Sequence, residues 1–296
     1  MVSGIIVKAL SGFYYVESAE GQIVCKARGK FRLDGTSPMV GDRVKCSLDA
    51  EGRGRIDFVE KRRNWFVRPA VANIDALVFI AAGTNPVTDP FLIDRVSVIA
   101  AESDCELIVC VNKSDLDRAD ELYAIFRTAG FPVLRTSAET GEGIAELLGL
   151  LRGKTCAFTG NSGVGKSSIL NRLLPAAGIE TGEVSEKLGR GRHTTRHVQL
   201  YEVEPGTYIA DTPGFASFDL EMMHSIAKEE LAGDFCDFRP YLGRCRFHDC
   251  AHLREPDCAV TAAVARGEIG ESRYRSYVRL YELCAQQKFW EQKGKN

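Results

Sequence analysis

Two short stretches carry residue types suited to holding a nucleotide. Residues 160–168 read GNSGVGKSS, a G-x-x-x-x-G-K-S pattern. A pyrophosphate needs several backbone N–H donors turned inward. Glycines let the chain curl that tightly, and the positive end of the following helix adds to the field. Gly160, Asn161, Ser162, Gly163, Val164 and Gly165 would form the cradle, with Ser168 just beyond. Lys166 would reach the β- and γ-phosphates, and Ser167 would ligate Mg²⁺. Residues 112–115 read NKSD, the N-K-x-D form that reads a guanine base. A carboxylate at Asp115 can accept from both N1–H and the exocyclic amine of guanine, and adenine offers no such pair. Asn112, Lys113 and Ser114 complete that set.

Further stretches fall at strand ends. TSA at 136–138 offers Ser137 and Ala138 to close over the base. DTPG at 211–214 offers Asp211 near Mg²⁺ and the Gly214 N–H near the γ-phosphate. HTT at 193–195 lies between the phosphate loop and DTPG. Together they specify GTP or GDP with Mg²⁺. Their order is base reader, base loop, phosphate loop, HTT, DTPG, whereas a GTPase chain usually begins with the phosphate loop. Joining the old termini and cutting after DTPG gives this order, so the chain reads as circularly permuted. A parallel sheet preserves its site through such a change. The loop at Asp211–Phe215 then runs directly into the segment that follows.

The place after D-x-x-G, where many GTPases carry a water-positioning Gln, holds Phe215. His193 is the candidate substitute within the chain, because a neutral imidazole can orient water or take a proton. The alternative is that it only touches RNA or solvent. Thr194 or Thr195 completes the Mg²⁺ shell. Arg190, Arg192 and Arg196 flank the loop and could serve as an arginine finger, contact RNA or face solvent.

Cys245, Cys250, His252 and Cys258 follow C-x4-C-x-H-x5-C. A Cys3His set is a closed tetrahedral arrangement for one structural Zn²⁺ and keeps no position for a substrate. His248 and Cys236 are competing ligands. The alternative is a cluster of free thiols in a helical core.

The elements that must position these groups fall into three segments. Residues 1–66 are rich in β-branched and aromatic residues, alternate roughly, and are broken by turn residues. Five short strands there predict an all-β barrel, first of the oligonucleotide-binding (OB) type, with an SH3-like barrel as the alternative. Residues 67–217 alternate apolar strands with amphipathic stretches at 89–102, 117–129 and 142–151, which predicts an α/β P-loop domain. HVQLYEV at 197–203 and TYIADTPG at 207–214 predict a hairpin about Glu204-Pro205-Gly206. Residues 218–296 predict a mainly α, zinc-binding domain whose last helix carries Arg273, Arg275 and Arg279 with Tyr274, Tyr277 and Tyr281. The tyrosines are assigned to packing and some of the arginines to phosphate contacts.

The chain of 296 residues has a net charge of −2, unevenly spread. Residues 1–70 hold 13 Lys/Arg against 8 Asp/Glu, residues 71–216 hold 13 against 19, and residues 217–296 hold 12 against 13. The basic excess at the N-terminus permits a polyanionic partner there. No apolar run approaches the ~18 residues of a membrane span. The N-terminus lacks the pattern of a signal peptide. The expected location is the cytoplasm, with no membrane partner.

On NKSD, GNSGVGKSS, GRGRHTT, DTPGF and the Cys/His cluster, the whole chain resembles the circularly permuted bacterial GTPases stimulated by the small ribosomal subunit, the RsgA/YjeQ family. That resemblance implies an OB barrel, a permuted GTPase domain and a C-terminal zinc-binding domain. It implies a GTP-hydrolysing monomer that binds the small (30S) subunit and its rRNA, not DNA, and acts in late maturation with release tied to hydrolysis. It favours Thr195 over Thr194 at Mg²⁺, and Cys245, Cys250, His252 and Cys258 over the competing ligands. Two other classes compete. With Phe215 in place of Gln, the chain could be an RNA-binding factor using GTP as a switch with negligible hydrolysis. A P-loop ATPase or kinase is the other, and NKSD argues against it.

Overall fold

The computed structural model describes residues 1–29, 31, 37–67, 69–175, 198–211 and 226–293, with backbone alone for Asp211 and residues 287–293. By packing, the described residues form two compact units. One comprises those of Met1–Ala76, Leu148–Phe158 and Ser167–Phe215; the other comprises those of Leu77–Leu147, Thr159–Lys166 and Ala216–Asn296.

In the first unit, strands β1 (Val2–Leu10), β2 (Phe13–Ser18), β3 (Gly21–Ala27), β4 (Arg43–Leu48) and β5 (Gly54–Val59) form the barrel. Their order is β1-β2-β3-β5-β4, and β4 pairs back onto β1. The β3–β5 pair is parallel and the others are antiparallel. This is the Greek-key circuit of the OB type. Period-2 alternation drives it: in β4, Val44 and Cys46 point inward while Arg43 and Lys45 stay exposed. Ile6, Val16, Cys25 and Ile56 complete the buried interior. Asp42, fully buried, accepts both Nε and a terminal N–H of Arg62 at 2.7 and 2.8 Å, which pins the segment after β5 to the barrel.

A two-stranded hairpin, β6 (Trp65–Val67) and β7 (Ala70–Ala72), follows the barrel. The first unit also holds most of β11 (Thr155–Thr159), with β12 (Gln199–Glu204) and β13 (Thr207–Asp211). β11 and β13 are parallel, with Ala157 opposite Ala210. β12 and β13 form the expected antiparallel hairpin. The barrel strand β1 then pairs with β12 through Lys8 and Gln199, so the barrel's sheet continues into the hairpin.

The second unit holds all of β8 (Ala76–Ala82) but Ala76, with β9 (Glu106–Asn112) and β10 (Val133–Arg135), side by side in the order β10-β9-β8. Every residue of β8 and all of β9 but Glu106 are buried, which is why both read as unbroken apolar runs. Helices α1 (Pro90–Glu102), α2 (Asp120–Thr128) and α3 (Ile144–Leu151) lie within the expected stretches. The start of α1 is set locally: Asp89 accepts the Phe91 N–H at 2.9 Å, and Pro90 occupies the first turn. α4 (Lys166–Leu173), which belongs to the first unit from Ser167 on, follows the glycine-rich loop. Short α5 (Leu231–Asp234), α6 (Ala259–Ala265) and long α7 (Glu271–Lys293) make the C-terminal region mainly helical.

The packing role given to the tyrosines is met: Tyr277 is buried against Phe235 and Phe238, with ring centroids at 5.4 and 5.0 Å. The phosphate-contact role is corrected for Arg273. Its side chain is buried and paired with Asp94 at 2.6 Å and Asp237 at 2.7 Å. A guanidinium so enclosed cannot reach a partner's phosphates. Among the described residues, no helix is long and apolar enough to cross a membrane.

Candidate nucleotide and metal sites

β11 delivers the chain into the glycine-rich loop, and the loop's shape depends on absent side chains. Gly160 has φ +134° and Gly165 has φ +97°. A Cβ at Gly160 would lie 2.1 Å from the Ile80 carbonyl oxygen, and one at Gly165 would lie 2.3 Å from Asn112 Nδ2. Val164 is buried beneath the loop. Lys166 folds its ammonium back over the loop, donating to the carbonyls of Gly160 and Asn161 at 2.7 and 2.6 Å. Burial pushes its pKa down, so anionic phosphates at this spot would be strongly favoured partners. Ser167 and Ser168 occupy the first turn of α4.

The base-reading stretch is joined to that loop by one side chain. Asn112 Nδ2 donates to the Val164 carbonyl at 2.8 Å. Its Oδ1 accepts from the Ala138 N–H at 3.2 Å and from Thr136 Oγ1 at 3.3 Å. A single buried amide therefore braces the phosphate loop, the base reader and the TSA loop. Lys113 turns the chain with φ +63°, and its ammonium donates to the Asn85 carbonyl. Ser114 donates to Glu142 at 2.7 Å, and Asp115 is exposed beside it. Ser137 Oγ accepts the Thr140 N–H at 3.0 Å, which shapes the TSA loop.

Glu142 is a residue the sequence reading missed. It also accepts from Arg118 at 2.8 Å, and the Ser114 hydroxyl with Arg118 holds its carboxyl below the usual range. A signal for it was present in TGEG, where Gly143 lets the chain pass against the Arg135 carbonyl.

Asp211 ends β13, parallel to the strand that feeds the phosphate loop. His193, Thr194, Thr195, Gly214, Phe215 and the arginines 190, 192 and 196 lie outside the described residues.

Replacing Gly165 by alanine is expected to weaken GDP binding about ten- to a hundredfold, through a strained φ and displacement of Asn112. A fluorescence titration with GDP measures it, and affinity equal to wild type in a folded protein would contradict the packing described.

Cys245, Cys250, His252 and Cys258 come together, their donor atoms all within 4.8 Å of one another. His252 Nδ1 lies 3.5 Å from Cys245 Sγ and 3.4 Å from Cys258 Sγ, and the two sulfurs are 3.9 Å apart. A tetrahedron with metal–sulfur bonds of ~2.3 Å has edges of about 3.8 Å. The donor set and its spacing therefore fit Zn²⁺. The supporting shell is fixed. The Ala259 N–H points at Cys245 Sγ, and Glu255 accepts the N–H groups of Ala251 and Leu253. Tyr274 donates to the His252 and Leu253 carbonyls, and Tyr277 to that of Ala251. The competitor Cys236 lies elsewhere, facing the Ala129 carbonyl at 3.3 Å. His248 is outside the cluster.

The model of the RsgA GTPase family matches residues 59–221, and that of the RsgA N-terminal domain matches residues 3–56. A protein of Caldanaerobacter subterraneus subsp. tengcongensis named small ribosomal subunit biogenesis GTPase RsgA is 44% identical over 282 residues, covering 94% of each chain. One of that name from Thermotoga maritima is 42% identical over 293 residues, covering 96% of this chain and 98% of its own. The crystal structure of YjeQ from Thermotoga maritima superposes with a TM-score of 0.83 at 38% identity, covering 96% of this chain and 98% of that one. YloQ, described as a circularly permuted GTPase, gives 0.81 at 34% identity, with 97% and 96% covered. With the motif order, the OB barrel and the Cys3His cluster in the same chain, these matches place it: the protein belongs to the RsgA family of circularly permuted GTPases.

Proposed function

We propose that this chain binds the small ribosomal subunit through its rRNA and acts late in that subunit's maturation, hydrolysing GTP to GDP and phosphate with release following hydrolysis. The observation that carries the nucleotide part is the Asn112 brace, which holds a guanine reader and a phosphate cradle in one unit despite their reversed order. The names of the relatives, small ribosomal subunit biogenesis GTPases, support the ribosomal part. The basic surplus of residues 1–70 supports an rRNA partner. The chain would act as a cytoplasmic monomer, without DNA. Its working divisions are a barrel at 1–66, the GTPase domain at 67–217 and the zinc-binding region at 218–296.

In this reaction Gly160 to Gly165 cradle the phosphates, Lys166 neutralises charge on the transferred group, and Asp115 reads the base. Ser167 and Thr195 would ligate Mg²⁺, with Asp211 near it, and the Gly214 N–H would sense the γ-phosphate. His193 would orient the attacking water, because Phe215 has no group to do so. Zn²⁺ on Cys245, Cys250, His252 and Cys258 would supply folding energy and no chemistry.

Single-turnover GTP hydrolysis with and without small subunits tests this. Strong stimulation is expected, and a rate unmoved by subunits would favour a pure switch. Asp115→Asn should lower GTP affinity by at least about a hundredfold, since two charge-assisted hydrogen bonds are lost, and should raise affinity for xanthine nucleotides. Unchanged GTP selectivity in nucleotide competition would remove Asp115 from base reading.

A further inference from the structure

The second unit contains a buried ion cluster that the nucleotide chemistry does not use. Arg273 of α7 is fully buried. One terminal nitrogen donates to Asp94 of α1 at 2.6 Å and to Ser97 at 3.3 Å. The other donates to Asp237 at 2.7 Å. The guanidinium lies 4.6 Å from the ring centre of Phe235 and 5.3 Å from that of Phe131. One turn and a half further along α7, Arg279 stacks on Phe91, in the first turn of α1, at 3.7 Å. Two arginines of the last helix thus grip α1 along its first half. A buried ion pair is weak grounds for net stability but strong grounds for a fixed geometry, because neither partner can leave without stranding the other as a buried, unpaired charge.

What α1 positions is the loop before it. Thr88 closes residues 83–88 at their base: its N–H donates to the Ala82 carbonyl and its hydroxyl accepts the Ala82 N–H, both at 2.9 Å. The tip of that loop meets both nucleotide loops. The Asn85 carbonyl accepts the ammonium of Lys113 in the base reader. Pro86 Cδ lies 3.3 Å from where a Cβ of Gly163 would stand in the phosphate loop. At its other side, α7 holds the metal cluster through Tyr274 and Tyr277.

We propose that Arg273, with Asp94 and Asp237, and Arg279 on Phe91 are positioning residues that press the 83–88 loop against Lys113 and the phosphate loop, so that the zinc-bearing region sets affinity for the guanine nucleotide. This rests on the nucleotide site proposed above. The loop touches the base reader and the cradle, so the effect falls equally on GDP and GTP. It is separate from any coupling through Asp211–Phe215, which would distinguish the two nucleotides.

The test compares full-length wild type with Arg273→Lys and Arg279→Ala. GDP and GTP dissociation constants, subunit-stimulated kcat at saturating GTP, and zinc content are measured. Lysine keeps the charge but loses the fork that spans two carboxylates. Both variants should bind GDP and GTP more weakly by the same factor, about three- to thirtyfold for Arg273→Lys and less for Arg279→Ala, with kcat and zinc content retained. Unchanged affinities in folded, zinc-bound variants would overturn the proposal. So would a fall in kcat alone, or a loss confined to GTP. If Arg273→Lys does not fold, Arg279→Ala, at an exposed position, decides by the same criteria. Absence of guanine-nucleotide binding by wild type would instead overturn the site itself.

Discussion

Replacing Lys166 by alanine is expected to reduce subunit-stimulated GTP turnover by about a thousandfold, because phosphoryl transfer depends on positioning and charge stabilisation. The ammonium is delivered to the centre of the loop by the first residue of α4 and is held there by two carbonyls, Gly160 and Asn161. Carbonyls neutralise none of its charge, and burial works against that charge. The position therefore suits an anion, as the proposed role at the β- and γ-phosphates requires. Ser167→Ala should cost less, about a hundredfold, since water can take the lost metal-ligand position. In both variants the barrel should keep its thermal transition, because Ile6, Val16, Val44 and Ile56 form an interior of their own. Steady-state turnover with saturating small subunits measures the effect. Either variant turning over within tenfold of wild type would remove that residue from the phosphate site.

The parts of the fold that were legible are those whose cause is local. Arg43–Leu48 alternates because one face of a strand meets the barrel interior. Asp89-Pro90 marks a helix start because one side chain caps and the other has no N–H to satisfy. The Cys/His spacing stands out because five thiol and imidazole donors in 14 residues have few other uses. What was hidden depends on partners far away in the chain. Arg273 sits in a Tyr/Arg-rich helix whose tyrosines read as packing and some of whose arginines read as phosphate contacts. Its burial is decided by Asp237, 36 residues away, and by Asp94, 179 residues away. The pairing of Lys8 with Gln199 likewise has no local signature. The motif NKSD identified Asn112, but its bonding partner Val164 lies 52 residues on. The sequence therefore named the braced residue without revealing the brace.

Replacing Cys250 by serine is expected to lower bound zinc from about one per chain to near zero, and to unfold the region around it. The cluster spans a stretch with few helices of its own: between the short Arg239–Tyr241 turn and α6 no regular element is present. Exposed Phe247 and the half-exposed Cys245 and Cys250 show how little apolar burial this stretch achieves. Its backbone is instead set by special conformations, with His252 at φ +58° and Asp257 at φ +57°. Such strain persists only where something over-determines it. Four ligands on one ion would do so. Serine is a poor zinc ligand at neutral pH, because its hydroxyl does not ionise as a thiol does, so three ligands would remain on a site meant to be closed. The loss should spread into α7, where Tyr274 and Tyr277 donate to carbonyls of the same loop. The barrel should be untouched. Metal analysis of the purified variant, with hydrogen exchange followed across residues 245–286, measures both effects. Full zinc occupancy in Cys250→Ser would remove Cys250 from the ligand set. Zinc loss without faster exchange would show that the region folds on side-chain packing alone.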